Sequence, residues 1–171
     1  MITIRPSTPE DADALSACVD AVSKERRYLA HTSRFSAEQT RAFIASLPES
    51  GGIRIVVVAD AIIVGWCDVT PLPFDGMRNV GRLGMGLLPP FRGQDLGRRL
   101  VREVLSEVFA KFLQRVELEV FASNKPAVAL YKREGVVFEG RKRRARLLDS
   151  TADDILIMGC LRKDWPVSKT N

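Results

Sequence analysis

Apolar positions recur along the chain with two periods, and the switches between them mark out its elements. Residues 2–5 alternate apolar and polar and predict a first strand. Thr8-Pro9-Glu10-Asp11 predicts a helix start. Thr8 can cap, Pro9 suits the first helical position and the two acids suit the positive end of the dipole. Ala14, Leu15, Cys18, Val19 and Val22 follow at helical spacing. Ser36 and Gln39 stand at capping-box spacing and predict a second helix through about Leu47. After Gly51-Gly52 the period becomes that of strands. Residues 53–59 and 62–70 are β-branched runs joined by a tight turn at Asp60-Ala61, and 80–88 is a third strand after a loop at 71–79. A long amphipathic helix is predicted over 95–113, with Leu96, Leu100, Val101, Val104, Leu105, Val108, Phe109 and Phe112 on one face. A strand at 116–121 and a helix at 124–134 closed by Gly135 come next. Strands at 136–148 and 155–161, connected by 149–154, complete the pattern. The order β-α-α-β-β-β-α-β-α-β-β predicts an α/β (mixed α+β) fold whose sheet contains hairpins, not a pure doubly wound sheet.

The chain of 171 residues suits one domain, with a core over about 2–162 and a tail at 163–171. Apolar residues make up 46% and charged residues 27%, the balance of a soluble globular protein. The start lacks the basic and apolar pattern of a signal peptide, and the apolar stretch 53–66 is broken by Asp60 and too short to span a bilayer. Cys18, Cys67 and Cys160 are odd in number and lie in apolar contexts, which predicts reduced core thiols and a cytoplasmic location. There is one histidine, His31, and no metal-ligand spacing, so no metal is expected.

The net charge of +5 suits an anionic ligand or nucleic acid. Much of the excess lies at Arg92, Arg98, Arg99 and Arg102 and in the 141–146 run. That run alternates cationic faces and lacks the interleaved aromatics of a base-stacking platform, which argues against nucleic acid.

The stretch 87–105 reads L-L-P-P-F-R-G-Q-D-L-G-R-R-L-V-R-E-V-L. Pro89 and Pro90 cannot donate to a ladder, so strand pairing should stop there and leave backbone groups near Leu88 for an extended ligand. The Arg/Gly turn then opens directly into a helix. Its free amides at the positive end of the dipole form a site for an anion such as a pyrophosphate. Gly93 and Gly97 allow close approach of that anion, and strand glycines 81, 84 and 86 suggest a bulge or a close approach by another chain or a ligand. Asp95 stands inside the turn. It either turns away to cap the helix, leaving Arg92, Arg98 and Arg99 to supply the positive field, or lowers the affinity for the anion.

These residues resemble the GNAT superfamily of acyl-CoA-dependent N-acyltransferases. The resemblance spans most of the chain and is strongest over 80–161. Arg92-Gly93-Gln94-Asp95-Leu96-Gly97 fits the family's Arg/Gln-x-x-Gly-x-Gly/Ala signature, with Asp95 where a glycine is usual. The run 116–124, then Ala127, Ala129, Leu130-Tyr131 and Gly135, is similar to the family's next strand and helix, with Val136 in place of the usual phenylalanine. The resemblance implies a central mixed sheet of about seven strands with splayed middle strands and four helices. It implies acetyl-CoA (coenzyme A) as cofactor, its pantetheine arm along Gly86, Leu87 and Leu88 and its pyrophosphate on the amides of Arg92, Gly93, Gln94, Asp95, Leu96, Gly97 and Arg98. Asn124 would line the cofactor or acceptor side, and Tyr131 would project toward the cofactor sulfur. A homodimer is implied in the same way.

The implied reaction is transfer of an acetyl group to a primary amine by direct attack in a ternary complex. The attacking amine must lose a proton and the leaving thiolate gains from an acid, a role that suits Tyr131. The base is open between Glu119, Asp68, Glu25 and a water chain. The acceptor is a small-molecule or peptide amine, selected by residues 24–35 and 71–79, which include Arg34 and Phe74. The alternative is a non-catalytic CoA-binding regulatory domain on the same fold.

Overall fold

A computed structural model describes residues 1–33 and 35–165, so Arg34 and the last part of the expected tail lie outside the described residues. β1 (Ile2–Pro6) leads into a 3-10 turn at Pro9–Asp11 before α1 (Ala12–Lys24) begins, so the helix proper starts later than the Thr8 signal predicts. Asp11 organises this corner. Its carboxylate accepts from Thr8 N–H at 2.8 Å and from both terminal nitrogens of Arg5 at 2.7 and 2.8 Å. The Arg5 hydrogen bonds hold the Asp11 carboxyl below its usual range. A depressed folded pKa contributes stability above about pH 4, and that stability is lost as pH falls through the folded value. Asp11→Asn is therefore expected to cost about 1 kcal/mol at neutral pH, a modest figure because the Arg5 end is exposed. Thermal melts should show the gap to the parent chain closing as pH falls below about 4.

α2 (Ala37–Ser50) begins with the predicted box. Ser36 Oγ accepts from Gln39 N–H at 3.1 Å, and Gln39 Oε1 accepts from Ser36 N–H at 2.9 Å. It runs past Leu47 and ends where Gly51 takes a φ of 78°. β2 (Ile53–Ala59), β3 (Ile62–Pro71) and β4 (Val80–Leu87) form an antiparallel meander. α3 (Leu96–Lys111) crosses over to β5 (Arg115–Phe121), and α4 (Lys125–Arg133) precedes the hairpin of β6 (Val137–Leu148) and β7 (Thr151–Leu161). The hairpin connection is shorter than 149–154. Asp149 and Ser150 alone make the turn, both at positive φ, and Thr151, Ala152 and Asp153 already pair with β6.

The described strands form one seven-stranded sheet in the order β1-β2-β3-β4-β5-β7-β6. Every neighbouring pair is antiparallel except β4 and β5. These two pair only at Val80, Gly81 and Arg82 with Arg115, Val116 and Glu117, and beyond that they part. The expected splay of the middle strands is therefore present.

Both faces of the sheet are covered. On one, Leu100, Val101, Val104, Leu105 and Val108 of α3 are fully buried against Ile55, Val57, Cys67 and Val69. On the other, Leu15, Cys18, Val19 and Val22 of α1 and Ile44 of α2 meet Val56, Ile63 and Trp66. Burial on two sides explains why β2 is an unbroken β-branched run instead of an alternating one. Trp165 is buried and packs at a tilt against Phe109 with ring centroids 5.8 Å apart, so apolar packing continues beyond residue 162. The three cysteines are free and buried. No helix among the described residues is long and apolar enough to cross a membrane.

The strand glycines have a different cause from the one the sequence suggests. A Cβ on Gly81 would meet Val69 and Leu113 side chains at 2.4 and 2.7 Å, and one on Gly86 would meet the Trp66 ring at 2.3 Å. Core side chains from β3 and from the end of α3 fill the space above both residues. Gly84 alone of the three has its nearest neighbour, Asp68 Oδ1, at an ordinary 3.6 Å.

Candidate active site

Where β4 and β5 part, a cleft of 840 Å³ opens between them. It runs from Tyr28, Leu29 and Ala30 in the α1–α2 loop, past residues 83–87 of β4 and 119–121 of β5, to the first turn of α3 and the inner side of α4. One edge of each strand has lost its strand partner along this length. Peptide groups on such an edge must bond to water or to a ligand.

At one end of the cleft lies the Arg/Gly turn. Gly93 takes a φ of 72° and Asp95 a φ of 63°, so the chain bends twice through the left-handed region before α3 starts. Gly97 is held by packing: a Cβ there would already touch Leu130 and Met85. The first helical bond runs from Arg99 N–H to Asp95 O at 3.1 Å, and Arg92 N–H is taken by Pro89 O at 3.2 Å. Among the described residues the amides of 93–98 have no acceptor. The free run thus starts at Gly93, one residue later than expected. Asp95 does not cap α3 with its side chain and lines the cleft instead.

The arginines divide the work differently from the sequence expectation. Arg92 donates from Nη1 to Glu25 Oε2 at 2.9 Å, bonds the other Glu25 oxygen through Nη2, donates from Nε to Leu87 O at 2.8 Å and lies over the Tyr28 ring at 4.7 Å. Each nitrogen of its guanidinium makes one bond to the protein, so it fastens the turn to the end of α1 while still lining the cleft, with one N–H left on each terminal nitrogen. Arg99 faces a shallow hollow with Arg102 and Ile4, away from the cleft. Arg98 does line the cleft.

Of the other predicted residues, Gly86, Leu87, Gly93, Gly97, Asn124 and Tyr131 line the cleft, whereas Leu88, Gln94 and Leu96 do not. Leu88 N–H is bonded to Val64 O at 2.8 Å, Gln94 Nε2 donates to Pro90 O at 2.6 Å, and Leu96 is buried in the core. Asn124 caps α4, accepting from Ala127 N–H at 3.3 Å. Tyr131 is buried beside Cys67 on the far wall, and burial pushes its phenol well above the usual value. Arg133, Phe121 and Met85 also line the cleft and carried no sequence signal.

The three carboxylates weighed as a base are each ion-paired, Glu25 to Arg92, Asp68 to Arg54 and Glu119 to Lys142. Asp68 lies within the meander, on β3, where burial raises its pKa against the opposing pull of Arg54. Of the three, Glu119 lines the cleft.

The 141–146 run does not keep a regular two-faced alternation. A bulge between Lys142 and Arg146 interrupts the pairing, with Arg144 at a φ of 51°. Arg146 lies over the Phe121 ring at 4.4 Å and donates to Arg26 O at 2.6 Å, while Arg26 forks onto Asp149 at 2.7 and 2.9 Å. The hairpin tip is thereby tied to the end of α1 at the mouth of the cleft.

The fold recurs in known proteins. The chain is 25% identical over 171 residues to YokL, an N-acetyltransferase of the SPbeta prophage of Bacillus subtilis (strain 168), an alignment covering 98% of this chain and 93% of that one. It superposes with a TM-score of 0.88 on an acetyltransferase of the GNAT family from Streptococcus pneumoniae, at 25% identity, covering 94% of this chain and 99% of the other. A phosphinothricin acetyltransferase from Sinorhizobium meliloti, solved in complex with AcCoA, shares the fold with a TM-score of 0.87 at 14% identity, covering 94% and 88% of the two chains. Residues 19–136 match the acetyltransferase (GNAT) family as a whole, from α1 to the end of the α4 segment that carries Tyr131, and the chain belongs to that family.

Proposed function

We propose that the cleft holds acetyl-CoA and that the chain transfers its acetyl group to a primary amine reaching the gap from the α1–α2 side. The observation that carries this reading is the continuity of the cleft. One groove joins six free amides at a helix start to the unpaired edges of two diverging strands, and a buried tyrosine stands on its wall. Amides 93–98 suit a diphosphate, and the open strand edges suit the amide groups of a pantetheine arm.

Acetyl-CoA supplies an acyl group already activated as a thioester, so the chain has to position the amine and manage protons. Tyr131 is the proposed acid, since burial keeps its hydroxyl protonated and able to donate to a leaving sulfur. Glu119 is the proposed proton acceptor, directly or through a water, with Lys142 fixing its orientation. Glu25 and Asp68 hold structure instead. The free buried thiols suit the reducing cytoplasm.

The test has two stages. Saturating CoA is expected to raise the melting temperature of the purified chain. An unmoved melting temperature rejects the whole reading. An amine panel read by thiol release then separates an enzyme from a CoA-binding domain. Tight CoA binding with no thiol release from any amine would leave binding intact and reject the transfer.

A further inference from the structure

Glu134 is almost fully buried, at 2% exposure, and caps the C-terminal end of α4. Both features are unfavourable for a carboxylate, which is disfavoured at the negative end of a helix dipole and costly to bury. Two arginines compensate. Arg98 Nε donates to Oε1 at 2.7 Å and Arg102 Nε donates to Oε2 at 2.6 Å. Two guanidiniums against one carboxylate leave a surplus of positive charge at the start of α3.

The way these arginines are held separates them from Arg92. Arg92 bonds protein partners through all three nitrogens. Arg98 spends only Nε, and its two terminal nitrogens have no acceptor among the described residues. Its side chain is 41% exposed and lines the cleft beside the free amides of the turn. An arginine fixed by Nε keeps its fork free and preoriented, the geometry that binds phosphate oxygens two at a time.

We propose that Glu134 is a positioning residue for the cofactor: it anchors Arg98 by its Nε and directs the free fork of that guanidinium onto the diphosphate. This rests on the proposed function and adds to it a buried group that never meets the ligand. The same contact fixes α4, which carries Tyr131 one turn earlier. A merely structural tie between α3 and α4 would affect every ligand of the cleft alike, whereas a tie acting through Arg98 affects only ligands that carry phosphate.

The experiment compares CoA with pantetheine, which lacks the diphosphate, by calorimetry on the intact chain. Glu134→Gln is expected to weaken CoA binding about tenfold and to leave pantetheine within about twofold. Arg98→Gln should lose a similar factor, and the double variant should lose no more than Arg98→Gln alone. Glu134→Gln also removes a negative charge, which by electrostatics alone would tighten an anion. Unchanged or tighter CoA binding, or equal weakening of both ligands, overturns the proposal. Should Glu134→Gln fail to fold, Arg98→Lys decides. It keeps the charge but loses the fork, and parent-like CoA affinity in that variant overturns the proposal equally. A parent chain that does not bind CoA refutes the proposed function and this inference together. A parent that binds beside an unaffected Glu134→Gln refutes this inference alone.

Discussion

Tyr131→Phe is expected to slow turnover about 100-fold or more while leaving CoA affinity within about twofold. The hydroxyl lies on the wall of the cleft and makes no hydrogen bond to another described residue, so its removal leaves no orphaned partner in the fold. The melting temperature should therefore stay put, which separates lost chemistry from lost structure. The pH dependence has a definite sign. Burial raises the phenol above its ordinary value of about 10, and the protonated form is the one that donates. Turnover should not fall between about pH 7 and pH 10 on account of Tyr131, because the group stays protonated throughout. A fully active Tyr131→Phe enzyme would remove this residue from the chemistry.

Asp95→Gly is expected to tighten CoA binding about tenfold. Asp95 lies among six free amides with its side chain on the cleft, at a φ of 63° that glycine adopts without penalty. The backbone effect on stability is small. Relief of the left-handed conformation, about 1 kcal/mol, is largely cancelled by the greater freedom of glycine in the unfolded chain. Affinity changes more. A carboxylate about 6 Å from a doubly charged diphosphate costs about 1.4 kcal/mol in water, which is a factor of ten. The gain should shrink as salt rises, since the repulsion is screened. Calorimetry showing unchanged or weaker binding would mean that Asp95 contributes something the amides need.

Local chemistry made most of the elements legible. The Ser36/Gln39 box, the glycine stops and the apolar face of α3 are encoded within a few residues, and each is where the pattern puts it save Phe112, which follows the last helical residue, Lys111, and is exposed. The sequence pattern puts Thr151, Ala152 and Asp153 in the β6–β7 connection because they are polar or small. Those residues are strand by virtue of pairing with β6, which local preference does not encode. The splay of β4 from β5 has no signature in the hydrophobic pattern, and the family resemblance supplied it.

The site was legible in its backbone and less so in its side chains. Gly93 and Asp95 announce the turn, but the fate of Arg92 depends on Glu25, 67 residues earlier. Gly86 suggested a ligand where Trp66 is the cause, because one glycine sequence serves either neighbour. Glu134 did leave a trace. An acid just before the glycine that ends a helix breaks the local charge preference, and such a break points to a distant compensating partner.

Among the described residues, three pairs join the β1–β4 half of the sheet to the β5–β7 half through the ladder. A guest lying in the wedge would act as a surrogate strand, bridging strand edges that part above a core both halves share. Occupancy then becomes part of folding: at a ligand level 100 times the dissociation constant, the folded form gains about 2.7 kcal/mol. The cellular supply of the guest would accordingly govern how long the host survives proteolysis, apart from how fast it works.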